Sequence, residues 1–183
     1  TSTIPIVMTS SADPVSTGLV ASLARPGGNV TGFSLDGGTE GEMQGKRLGL
    51  LKETLPNLTH VGMLWNPEGA LDPTRLESMR DATRPLGLKL VAVEARGLDT
   101  LEQAFATMLR EQIQAFILVA DTVLFNYRTQ IGVMALRNRL PSIASLREFA
   151  EAGLLLGYGP GFPPLYRGAA GFIDKIFMGA QTA

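Results

Sequence analysis

The chain has no cysteine and a single histidine, His60. The first absence excludes thiol catalysis, thiolate-held zinc and disulfide bridges. The second leaves His60 as the only imidazole available to a Ser-His-Asp arrangement. It stands in Leu58-Thr59-His60-Val61, where a strand begins, and reads as a surface histidine at a strand edge. Charge of either sign is sparse: 18% of residues are charged and the formal net charge is −1. Nothing there draws DNA, RNA or an anionic membrane, and no nucleic-acid partner is expected. No apolar run approaches the roughly 20 residues of a bilayer-spanning helix. Thr1 to Thr9 has neither the basic start nor the cleavage site of a signal peptide. No catalytic set, metal site or cofactor is expected.

What is present is alternation. Of 183 residues, 45% are hydrophobic, enough for one or two compact domains. Short β-rich runs fall at 4–8, 60–65, 88–93, 115–119, 141–144 and 154–156. Between them, apolar residues recur at three- and four-residue spacing over 15–24, 40–55, 73–86, 100–111, 127–138 and 164–178, which predicts helices. Such alternation implies parallel β-α-β units with helices on both faces of the sheet. The nearly continuous apolar strands fit burial on both sides. Arg25-Pro26-Gly27-Gly28-Asn29 reads as a helix stop, Leu86-Gly87-Leu88 as a helix-to-strand turn, and Pro160-Gly161-Phe162-Pro163-Pro164 as a break whose last proline suits a first helical turn. Asp72 and Asp99 are placed as N-caps. Phe105, Met108 and Phe116 read as core. Residues 60–156 hold five strand signals and can form their own sheet. The flanks, 1–33 and 161–183, cannot, and are expected to belong to a second lobe. The exposed strand edge this leaves would suit a dimer.

Ligands of open α/β sheets bind outside the carboxyl ends of the strands. Those ends are polar here: Thr9-Ser10-Ser11-Ala12-Asp13, Trp65-Asn66-Pro67, Ala120-Asp121-Thr122, Ser145-Leu146-Arg147-Glu148 and Gly157-Tyr158-Gly159. The set suits hydrogen bonding to a small polar ligand, with an aromatic for stacking. Asp13, Asp121 and Ser145 read equally well as helix caps.

Specific segments resemble a known family. Ile4-Pro5-Ile6-Val7, Asp13-Pro14-Val15 and the run Leu23-Ala24-Arg25-Pro26-Gly27-Gly28-Asn29-Val30-Thr31-Gly32 are similar to ABC-transporter substrate-binding proteins, as are Gly45-Lys46-Arg47-Leu48, Leu64-Trp65-Asn66-Pro67, Arg147-Glu148-Phe149 and Tyr158-Gly159-Pro160. The resemblance covers nearly the whole chain, in order. It implies a periplasmic-binding-protein-like (type I) α/β fold with doubly wound parallel-sheet lobes. Such proteins are exported or lipid-anchored, and they deliver a ligand to a membrane permease. Similar members are associated with aromatic or related amino acids. On this resemblance the chain is a fragment: residues 1–33 end lobe one, 34–160 form lobe two, and 161–183 are the return helix. Residues 30–34 and 156–160 would be hinge strands. The implied ligand contacts are Ser10, Ser11 and Asp13 from lobe one, Asn66, Asp121, Thr122 and Ser145 from lobe two, and Thr31 and Tyr158 near the hinges. Asp121 is the candidate for a ligand α-amino group. Two alternatives remain open at this point: an enzyme on a doubly wound sheet, and the effector-binding domain of a transcription regulator, which would need a helix-turn-helix attached.

Overall fold

The computed structural model describes residues 2–11, 14–15, 17–35, 40–69, 73–180 and 182. The chain divides into two compact units, one of residues 41–159 and one of residues 1–40 with 160–183.

The larger unit is built on a five-stranded, wholly parallel sheet. Its strands are β3 (His60–Trp65), β4 (Lys89–Glu94), β5 (Ala115–Leu118), β6 (Ser142–Ala144) and β7 (Leu156–Gly157), in the order β4-β3-β5-β6-β7. Every residue of β5 and β6 is buried. Side chains alternate between faces along a strand, so this pattern needs cover on both sides. On one face Val61 and Met63 of β3, Ile117 of β5 and Ile143 of β6 pack with Leu48 and Leu51 of α1 (Glu40–Thr54) and Met79 of α2 (Pro73–Thr83). On the other, Phe116 meets Phe105 of α3 (Leu98–Arg110) edge to face, with centroids 5.6 Å apart. Phe105, Met108 and Phe116 are core, as the sequence suggested.

In the smaller unit β1 (Ile6–Ser11) and β2 (Val30–Ser34) pair in parallel, with Val7 opposite Thr31 and Met8 opposite Gly32. The flanks therefore form a two-stranded sheet of their own, against expectation. Helix α7 (Phe162–Phe177) packs on both strands. Phe33 lies 5.3 Å from Phe172, and a Cβ at Gly168 would come within 2.6 Å of the Phe33 ring, so glycine makes room for that ring.

The helix expected over 15–24 is absent; its described residues form turns and bends. Gly18 sits at φ +71°, and its N–H closes a tight turn on the Val15 carbonyl. The Ser22 Oγ accepts from the Arg25 N–H instead of facing outward on a helix. Arg25-Pro26-Gly27-Gly28-Asn29 thus ends no helix. It turns the chain into β2: Ala21 N–H donates to the Pro26 carbonyl, Gly27 takes φ +76°, and Asn29 Nδ2 donates to the Ile4 carbonyl at 2.6 Å. A Cβ at Gly32 would meet the Met8 carbonyl oxygen at 2.1 Å, so β1 and β2 approach closely only because residue 32 has no side chain.

Other boundaries shift for local reasons. Pro85 cannot continue an α-helical ladder, and α2 gives way to a 3-10 turn, Arg84–Leu86, before left-handed Gly87. Helix α3 starts at Leu98 with Gly97 as N-cap, so Asp99 is a first-turn acid and not the cap. The Thr100 hydroxyl accepts from the Arg96 and Gly97 N–H groups. Asp72 lies outside the described residues. The helix expected over 127–138 is α5 (Arg128–Arg137); the short α4 (Thr122–Asn126) precedes it without a sequence signal of its own. Helix α6 (Arg147–Glu151) had no sequence signal of its own.

Helix α5 crosses the end of α6 so closely that a Cβ at Gly132 would lie 1.9 Å from the Ala152 carbonyl oxygen. Gly132→Ala is expected to lower stability by about 1–3 kcal/mol, the usual cost of overpacking. Gly49→Ala, in α1 where a Cβ meets nothing within 4 Å, is expected to be neutral or to raise it by up to about 1 kcal/mol. Urea unfolding of the two variants beside the parent checks both signs.

Candidate functional site

The carboxyl ends of β3, β5 and β6 lie on one edge of the larger unit's sheet, because those strands are parallel and adjacent. Asn66 follows β3 and is only 3% exposed. Its Nδ2 donates to Asp121 Oδ2 at 2.6 Å, and its Oδ1 accepts from the Glu68 N–H at 3.0 Å. Asp121 follows β5 with extended backbone and caps α4: its Oδ1 accepts from the Leu124 N–H at 2.7 Å. A Cβ at Gly69 would sit 2.9 Å from Asp121 Oδ2, so the turn after β3 closes over the carboxylate. The structure thus brings Asn66 and Asp121 together. The cap reading of Asp121 holds; Thr122, the first residue of α4, is exposed.

A second group gathers after β6. Ser145 is buried, yet it is not a cap, since the N-cap of α6 is Leu146. Tyr158 follows β7 and donates its N–H to the Ala144 carbonyl at 2.9 Å. The Tyr158 carbonyl accepts from Arg47 Nε at 2.9 Å. In the smaller unit, Ser10 and Ser11 end β1, half-buried, and Thr31 is a buried member of β2. Asp13 lies outside the described residues. His60 opens β3 with its Nδ1 3.0 Å from the Thr59 hydroxyl.

Sequence reasoning predicted α1 but passed over its buried polar residues. Gln44 and Arg47 share a stripe with Leu48 and Leu51 and are buried with them. The Gln44 Oε1 and the Trp65 Nε1 are both buried without a hydrogen-bond partner. A polar pair at i, i+3 on an apolar helical stripe was the available signal. Among the described residues, no group of three or more His, Asp or Glu could hold a metal, and no helix is long and apolar enough to cross a membrane. A groove of about 280 Å³ along β4 and α3, lined by Glu94, Arg96, Thr100 and Gln103, contains none of the expected contacts.

The family model for ABC transporter substrate-binding proteins matches residues 1–183. The chain belongs to this family. It is a family of substrate-binding proteins, not of enzymes. Similar to this member is a tyrosine-binding protein of Clostridioides difficile (strain R20291), 27% identical over all of this chain and 51% of that protein. Two solved structures share its fold over the whole chain. One is the ABC domain from Streptococcus pneumoniae in complex with L-Trp, with a TM-score of 0.80, 20% identity and 61% of that chain covered. The other is a conserved domain protein from Vibrio cholerae, with a TM-score of 0.82, 26% identity and 60% of that chain covered. The α/β fold of this family member is therefore periplasmic-binding-protein-like, and the chain spans about half the length of the curated relative it matches.

Asn66→Ala strips Asp121 of a charge-assisted hydrogen bond and leaves the Glu68 N–H without its acceptor. The expected loss is about 1–3 kcal/mol of stability. A double-mutant cycle with Asp121→Ala, read by chemical unfolding, should return a coupling energy; strict additivity of the two losses would mean the pair contributes nothing jointly.

Proposed function

We propose that this chain is the ligand-gripping part of the solute-binding component of an ABC importer. It binds a small polar ligand, an amino acid with an aromatic one favoured, in a cleft between two lobes that close about hinges. On this reading 34–160 is the complete lobe, 1–33 the end of the other, and 161–183 the return helix. The protein acts outside the cytoplasm, in the periplasm or tethered by lipid, and hands its ligand to a membrane permease.

Family membership over the full chain supports the transport role. The tyrosine-binding relative and the L-Trp complex support the ligand class. The observation that carries the reading is the Asn66–Asp121 pair. A carboxylate has about four acceptor positions, and the Leu124 N–H and Asn66 Nδ2 occupy two. Asp121 is thereby oriented and only half-buried, with capacity for a ligand ammonium group. Asn66, Thr122 and Ser145 would surround the same ligand, Ser10, Ser11 and Asp13 would meet it from the other lobe, and Thr31 and Tyr158 would lie by the hinges. Contacts from both lobes exist only in the closed state, so ligand selects closure.

Thermal unfolding of the full-length protein against amino acids, purines and small acids tests the reading. A ligand at a hundred times its Kd adds about 2.7 kcal/mol, a shift of several degrees. L-tyrosine or L-tryptophan is expected to give that shift; silence from every amino acid would overturn the ligand class. Asp121→Asn removes the charge while keeping an oxygen for the α4 cap, because asparagine caps a helix as well as aspartate does, at the cost of the bond from Asn66 Nδ2. Calorimetry should show amino-acid binding weakened by about 2–5 kcal/mol with α4 intact. Unchanged affinity would remove the charge from the ammonium contact.

A further inference from the structure

Arg47 is 0% exposed. Arginine is almost never fully buried, and desolvating a guanidinium is costly enough that an apolar residue of similar size often serves stability as well. Arg47 nevertheless occupies the apolar stripe of α1, beside Leu48. Its Nε donates to the main-chain carbonyl of Tyr158 at 2.9 Å. The N–H of the same residue is bonded to the Ala144 carbonyl of β6. The backbone of Tyr158 is therefore gripped from two sides, by a strand and by a helix far away in sequence.

The next residue tightens the junction. A Cβ at Gly159 would fall 2.0 Å from the Ser145 carbonyl oxygen and 3.4 Å from Arg47 Nη2. Glycine lets the chain pass between the two, and any side chain there would push Ser145 away. The position in the chain matters as well. The chain enters the larger unit at 40/41, on the first turn of α1, and leaves it at 159/160, directly after Gly159. One guanidinium ties the entry helix to the exit segment.

We infer that Arg47 is a positioning residue for the ligand site: through the main chain it holds Tyr158, and through Gly159 it holds Ser145, in their binding arrangement. The inference rests on the proposed amino-acid site, of which Tyr158 and Ser145 are members. Because the grip is on a carbonyl, it does not depend on the side chain at 158. Its effect on binding comes from order set before the ligand arrives, since a preordered site loses less on binding. Lysine can replace the charge but not the fixed direction in which the planar guanidinium presents its Nε–H to the Tyr158 carbonyl.

The test uses the full-length protein, with L-tyrosine and L-tryptophan as ligands, and reads two quantities. Amide hydrogen exchange of Tyr158 without ligand reports the grip, and calorimetric Kd reports the site. Arg47→Met is expected to speed that exchange at least tenfold and to weaken binding at least tenfold, with Arg47→Lys recovering part of both. If Arg47→Met does not fold, Gly159→Ala, which keeps the guanidinium but drives a methyl into the Ser145 carbonyl, is expected to weaken binding to the same degree. Exchange at Tyr158 as slow as in the parent overturns the inference. Faster exchange with an unaltered Kd reduces Arg47 to a structural part and also overturns it. A parent protein that binds neither amino acid sinks the proposed ligand class instead, an outcome that the parent alone reveals before any variant is made.

Discussion

Strands β5 and β6 are buried along their whole length, and this constraint organises the rest of the larger unit. A strand covered on both faces has no place for an unpaired polar side chain, because burying one without a partner costs more than a well-packed apolar residue gains. Polar groups are therefore pushed to the strand ends. Since β3, β5 and β6 are adjacent and parallel, their carboxyl ends share one edge of the sheet. Asn66, Asp121 and Ser145 follow strands that end at this one edge for that reason, although 79 positions separate the first from the last. The smaller unit depends on a different device. Its strands and α7 approach where Gly32 and Gly168 carry no side chain.

Two sets of side-chain hydrogen bonds lie at or beside that edge. Asn66 and Asp121 bind each other, and each also accepts an N–H of the segment that follows its own strand. Arg47 Nε of α1 donates to the main-chain carbonyl of Tyr158, just after the last strand. Such networks hold loops in one arrangement, and binding residues on loops need that support from a rigid scaffold. On the proposed reading, the bond that caps α4 also aims the carboxylate that would meet an ammonium.

The strands were legible because apolar runs bounded by turn residues have few other solutions, and all five of the larger sheet lie within two residues of their expected positions. The long helices α3 and α7, strongly amphipathic, were legible too, and so was α1 by its length and spacing. The short α4 and α6, five residues each, are too brief to show a period. The stretch 15–24 shows the opposite failure: its apolar spacing is helical, but Gly18 and the Ser22–Arg25 turn make it loops, since a few local hydrogen bonds outweigh propensity in a largely exposed segment.

The same division holds at the candidate site. Strand-end chemistry could be read one residue at a time, so Asn66, Asp121, Ser145 and Tyr158 could be picked out from where their strands end. Their partners could not. That Asp121 is shared between Asn66 and the α4 cap, and that Arg47 lies buried against a carbonyl 111 positions away, are facts of pairing. Periodicity along one chain determines which face of an element is apolar and where the element ends. Which polar groups satisfy one another is decided only when separate elements pack, because a hydrogen bond depends on distance in space and carries no trace in sequence spacing.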